Sequence, residues 1–158
     1  MHEPYDTLTV AALLKRAGTS RTSFYAHFSG MEALFAASVQ RLGDGLLRAA
    51  QGQTGSWAFL LPFLQHADSH RKVYSGFVGR LSASVLERQM QALFARLLRD
   101  DLARRGLPTP GPVREAALVG ALWATLVAWI ERRISLAPGA MAESLVPLLD
   151  GLTRGLSA

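Results

Sequence analysis

The sequence contains no cysteine, so disulfides, thiolate nucleophiles and thiolate metal sites are all excluded, as suits a chain expected in a reducing cytoplasm. No apolar signal segment stands at the N-terminus. No hydrophobic run reaches the roughly twenty residues of a membrane span: residues 116–130 are free of charge, but Glu115 and Glu131 close them, which predicts a buried helix and no membrane partner. No Gly-x-Ser-x-Gly elbow occurs, and Gly43-Asp44-Gly45 lacks the third glycine and the preceding strand of a dinucleotide loop. His66 and His70 have the four-residue spacing of a two-histidine metal site without an obvious third ligand. The chain is therefore expected to be no enzyme, with neither catalytic residues nor metal nor cofactor. Acidic residues are missing locally as well: between Thr9 and Gly30 there is no Asp or Glu, against Lys15, Arg16 and Arg21.

What is present is a globular composition. With 158 residues, 49% of them hydrophobic, the chain can bury a sizeable core. A formal charge of +5 has the sign expected of a protein that meets nucleic acid, although several arginines, among them Arg96, Arg99, Arg104 and Arg105, fall where a solvated helix face is expected.

The informative stretch is residues 9–34. Val10, Leu13, Leu14 and Ala17 recur at i, i+3, i+4 and i+7, one face of a helix that Thr9 can cap and Gly18 can end. Ser20 then offers an N-cap to a second helix. Phe24 and Phe28 lie on one side of it, which leaves Arg21, Thr22, Ser23, Tyr25 and His27 largely on the other. Two short helices about a tight glycine turn make a helix-turn-helix. With no acid to repel phosphates, the second helix is the candidate reading head.

Tyr5, Thr9, Val10, Ala17, Gly18, Ser20, Phe24, Tyr25, His27, Phe28, Glu32 and Leu34 fall in one register, with Gly-x-Ser leading into Phe-Tyr-x-His-Phe. In this the stretch resembles the DNA-binding domain of TetR-type transcriptional regulators. The sequence departs from that pattern at Thr19, where an apolar valine is usual, and at Met31, where a phosphate-binding lysine is usual. Only eight residues precede Thr9, one of them Pro4, so the amphipathic helix with which family members begin is expected to be missing or truncated.

Beyond this block the pattern stays helical, and the expected class is all-α: a helix-turn-helix segment followed by a bundle for ligand binding and dimerisation. From Met31 a helix carries Leu34, Phe35, Ser38, Val39 and Leu42 along one side, with Gly43-Asp44-Gly45 expected to interrupt it. The division expected is a DNA-binding domain over 1–45 and a ligand-binding and dimerisation domain over 46–158, with a loop at 51–56. Helices are predicted at about 57–66, bent by Pro62, and at 71–79. A long one over 82–105 follows, with Val85, Met90, Leu93, Phe94, Leu97 and Leu98 as its buried stripe. Three prolines in 107–112 end it. The most apolar helix spans 112–133, and the last starts near Pro138, with Pro147 as an expected kink.

The resemblance implies that the last two helices pair with a second copy. Ala117, Ala121, Ala124 and Ala128 form a small-residue seam for that homodimer, joined by Leu145 and Leu149. It also implies a small apolar effector in the body, where Trp57, Phe63, His66, Tyr74, Phe77, Met90 and Trp123 could line a cavity; a filled core explains most of the same residues. For DNA, an inverted-repeat duplex, it assigns base reading to Arg21, Thr22, Ser23 and Tyr25 and phosphate contacts to Thr9 and His27. Two functions follow: a ligand-responsive, homodimeric repressor, or a helical ligand-binding or interaction protein that has lost its DNA grip with the missing first helix.

Overall fold

The computed structural model describes residues 14–15, 17–72, 74 and 83–154, and among these six helices are delimited. They are α1 (Arg21–His27), α2 (Met31–Ala50), α3 (Leu60–Ser69), α4 (Ala83–Arg104), α5 (Pro112–Ile130) and α6 (Pro138–Thr153). All regular structure among the described residues is helical, as the period of the apolar residues predicts. Of the helix predicted over 71–79 only Arg71, Lys72 and Tyr74 are described. Starts and stops follow local chemistry. Pro112 and Pro138 each open a helix at the position where a missing N–H costs nothing.

α2 packs along α4, α3 along α6, and α4 along α5, with lighter contacts between α2 and α3 and between α5 and α6. The core between them is built from Phe59, Phe63, Phe94, Leu97, Leu98, Leu102, Leu126, Trp129 and Ile130, all fully enclosed. α5 is the one described helix long and apolar enough to cross a membrane; its Leu118, Leu122, Trp123, Leu126, Trp129 and Ile130 belong to this core.

Two expectations need correction. Gly43-Asp44-Gly45 does not interrupt its helix: α2 runs through these residues to Ala50 and so crosses residue 45 without a break. The reason is tertiary. A Cβ on Gly43 would stand 2.6 Å from Leu93 Cδ1 of α4, so the glycine is where the two helices approach most closely, a gain in packing that offsets its poor helix propensity. Pro62 likewise does not bend a helix over 57–66. The helix begins at Leu60, which places Pro62 in the first turn, where its lack of an N–H leaves no helical bond unmade.

Ahead of α3, the chain turns on Trp57, whose φ of 57° puts a bulky residue in the left-handed region. Long-range hydrogen bonds hold it there. Its backbone N–H donates to Asp101 Oδ1 at 2.8 Å and its indole N–H to Asp150 Oδ1 at 3.0 Å, while Ser56 Oγ donates to Asp150 Oδ2 at 2.8 Å. Asp101 is fully buried, and Arg104 and Arg105 each bond one of its oxygens, at 2.7 and 3.2 Å. A buried carboxylate is tolerable because every one of these donors meets it.

A second tie joins α3 to the end of α5. The Arg71 guanidinium lies 4.0 Å from the centroid of the Trp129 ring, donates to the carbonyls of Trp129 and Ile130, and is fixed by Asp68 at 2.8 Å. Trp129 O also accepts from Arg132 N–H at 3.1 Å, so the arginine just beyond α3 adds a charged donor where the helix's own bonds run out.

Candidate nucleic-acid interface

The segment before α2 is shaped by its caps. Gly18 adopts φ +63°, and Thr19 N–H donates back to Leu14 O at 3.1 Å, the left-handed ending that glycine takes without steric cost. Two residues later Ser20 caps α1: its Oγ accepts from Ser23 N–H at 3.1 Å, and its carbonyl accepts from Phe24 N–H at 3.1 Å. Gly18 and Ser20 thus fix the turn from both sides.

Only Leu14 and Phe24 are buried among the described residues up to Phe28. The Phe24 ring packs on Phe28 at 5.6 Å and edge-on to Tyr25 at 5.2 Å. With the two phenylalanines turned inward, Arg21, Thr22, Ser23, Tyr25 and His27 are all exposed, and Tyr25 presents 56% of its surface. The first acid along the chain after Arg21 is Glu32, in the first turn of α2. The arrangement is a seven-residue helix that presents one guanidinium, two hydroxyls, a phenol and an imidazole to solvent: hydrogen-bond groups for base edges and phosphate oxygens.

Comparison with known families agrees with this geometry. Residues 1–38 match the family model of bacterial regulatory proteins, tetR family. That family is one of DNA-binding transcription regulators, and the match covers the turn and α1 just described, together with the start of α2. Neither the curated proteins nor the solved structures give a match to this chain.

The remaining predicted site residues are distributed as follows. Thr9 and Phe77 lie outside the described residues. Phe63, Met90, Tyr74 and Trp123 sit in the core, with Phe94 between them: its ring is 5.0 Å from Phe63 and 6.4 Å from Trp123. Trp57 is buried but engaged with Asp101 and Asp150. His66 is half-buried and stacks on His70 at 4.4 Å; burial, then the neighbouring His70, lowers its pKa below 6.5. Burial alone pushes Tyr74 up to about 12.

The seam divides. Ala117, Ala121 and Ala124 are exposed, whereas Ala128, Leu145 and Leu149 are buried within the protomer. Leu145 and Leu149 turn inward because α6 packs on α3, and the apolar residues it leaves outside are Leu148 and Leu152.

One group was not foreseen from the sequence. Gln89, Leu93 and Arg96 of α4 face Ala36, Val39 and Gln40 of α2 across a cleft of about 270 Å³. Gln89 lines this cleft, and its Oε1 is buried without a donor from the described protein groups. The signal available was a polar residue four places before Leu93, on the face that meets α2.

Proposed function

We propose that the chain is a homodimeric, ligand-responsive transcriptional repressor that binds an inverted-repeat operator. α1 enters the major groove, where Arg21, Thr22, Ser23 and Tyr25 meet base edges, while Thr9 and His27 hold phosphates. The observation that carries this reading is the exposed face of α1: five hydrogen-bonding side chains on seven residues, with no acid among them. The second copy packs against the exposed side of α5 and α6, where Val113, Ala117, Ala121, Ala124, Leu148 and Leu152 leave an apolar surface uncovered in the single chain. A small, mostly apolar effector binds the helical body and acts by preferring one of two dimer arrangements. The setting is the cytoplasm, where operator and effector meet.

Operator selection from random duplex DNA, followed by titrations over a range of salt, tests the reading. Arg21→Ala should lose about 1–3 kcal/mol of affinity and relax preference at one base pair, whereas His27→Ala should weaken all sequences alike. Enrichment of no inverted repeat would refute the proposal. Ala121→Arg should yield a monomer in sedimentation, and an unchanged dimer would move the interface elsewhere.

A further inference from the structure

We propose that His66 and His70 form a two-imidazole site for a late first-row divalent cation, of the copper, nickel or zinc kind, at the C-terminal end of α3. Spacing alone supplies two ligands without a third, and the structure adds how the two rings are set. They lie face to face, 4.4 Å between centroids and 26° from parallel. Two nitrogens bound to one ion at about 2.0–2.1 Å each can be no more than about 4.2 Å apart, so rings this close need only a small torsional adjustment to share it. His66 is half-buried and Tyr74 stands edge-on to it at 6.2 Å, which confines one ring, while the exposed His70 leaves the pair open to solvent.

Hydrogen bonding fixes which nitrogen His70 offers. Its Nδ1 lies 2.9 Å from the His66 carbonyl, which also accepts the His70 backbone N–H at 3.1 Å. A carbonyl oxygen can only accept, so Nδ1 carries the proton and Nε2 keeps its lone pair, the tautomer that a carbonyl partner sets in metal-binding histidines. Among the described residues no donor or acceptor engages the His66 ring. The positive charge of Arg71 is answered by Asp68 at 2.8 Å, and the same pairing turns the one carboxylate between the two histidines toward the guanidinium. Neutral imidazoles without a carboxylate suit copper, nickel and zinc, whereas magnesium and calcium call for oxygen ligands. Water completes the coordination, so the ion is exchangeable.

Calorimetric titration of the full chain carrying His2→Ala and His27→Ala, which leaves the pair as its remaining histidines, tests the site with the chlorides of Cu2+, Ni2+, Zn2+ and Mg2+. One equivalent of Cu2+ should bind, with Ni2+ and Zn2+ weaker and Mg2+ giving no heat. His66→Ala or His70→Ala added to that background should weaken Cu2+ binding at least about tenfold, since a chelate becomes a single imidazole. Electron paramagnetic resonance of the Cu2+ complex should show coupling to two imidazole nitrogens, falling to one in either variant. Alanine favours helix and neither ring is fully enclosed, so both variants should keep the parent's helical circular dichroism. No Cu2+ uptake, uptake indifferent to both variants, or a loss in only one of them would overturn the proposal. So would Mg2+ binding as tightly as Ni2+, which would reveal attraction by charge alone. None of these readouts involves DNA, so failure of the site leaves the repressor reading standing, and loss of operator binding leaves the site.

Discussion

The reading head and the helical body are held by different kinds of contact. In the head the described hydrogen bonds span three to five residues: Ser23 to Ser20, Phe24 to Ser20, Phe28 to Phe24 and Thr19 to Leu14. Among the described residues there, Leu14 and Phe24 are the buried apolar side chains. In the body the ties join residues 44 apart (Trp57 and Asp101), 51 apart (Arg104 and Gln53) and 94 apart (Ser56 and Asp150), over a continuous core. Local contacts define a shape but add little resistance to opening, and segments with few buried contacts open at low free energy. Among the described residues, α1 is thus mounted on its caps, whereas the body rests on long-range ties and a continuous core.

The largest effect expected from this contrast is at Asp101. Asp101→Ala leaves the buried Trp57 N–H without its acceptor and takes one carboxylate from Arg104 and Arg105, which keep Asp100 and Asp150, and the body should lose about 1–3 kcal/mol in chemical denaturation. A loss under about 1 kcal/mol would mean the long-range network is not what holds the body. Ser20→Ala sharpens the other half of the contrast. Removal of the cap should cost about 1 kcal/mol in the head alone, seen as faster hydrogen exchange at the Ser23 amide and weaker operator binding, with the main unfolding transition unmoved. If that transition shifts as well, head and body are one cooperative unit.

The smallest effect is the pH dependence of the body. His66 has a folded-state pKa below 6.5, so as pH falls through 6.5 the unfolded chain takes up a proton that the folded chain refuses. Stability from this source is complete above 6.5, declines below it, and levels off beneath the folded-state value. His66→Gln should remove that part of the slope in melting curves between pH 7 and 5. Tyr74 acts at the other end: with its folded value near 12, stability falls as pH rises from 10 to 12, and Tyr74→Phe should flatten that limb.

How much could be read in the sequence follows the same division. Gly18, Ser20 and the Phe24/Phe28 side of α1 were legible because caps and helical faces are set by residues within a turn of one another. The long α4 and the apolar α5 were legible from period and length. Gly43 was read as a break because its propensity is local information, whereas the Leu93 side chain that packs against it is fifty residues away. Leu145 and Leu149 share a stripe with Leu148 and Leu152, and the spacing alone does not say which pair turns to α3 and which to solvent. Gln89 stood in an otherwise apolar stripe, yet the cleft it lines is completed by Ala36 and Val39 of a distant helix.

The Arg71 staple bears on the order in which the chain assembles. It closes a loop of 58 residues, and until the ends of α3 and α5 have met, the Trp129 and Ile130 carbonyls lack this charged donor. Closing so long a loop is entropically unfavourable before the contacts it brings can form, which makes completion of α5 a late event rather than a nucleus. Weakening the staple should therefore leave the refolding rate almost untouched and quicken unfolding, so this arginine sets how long the body persists rather than how fast it forms.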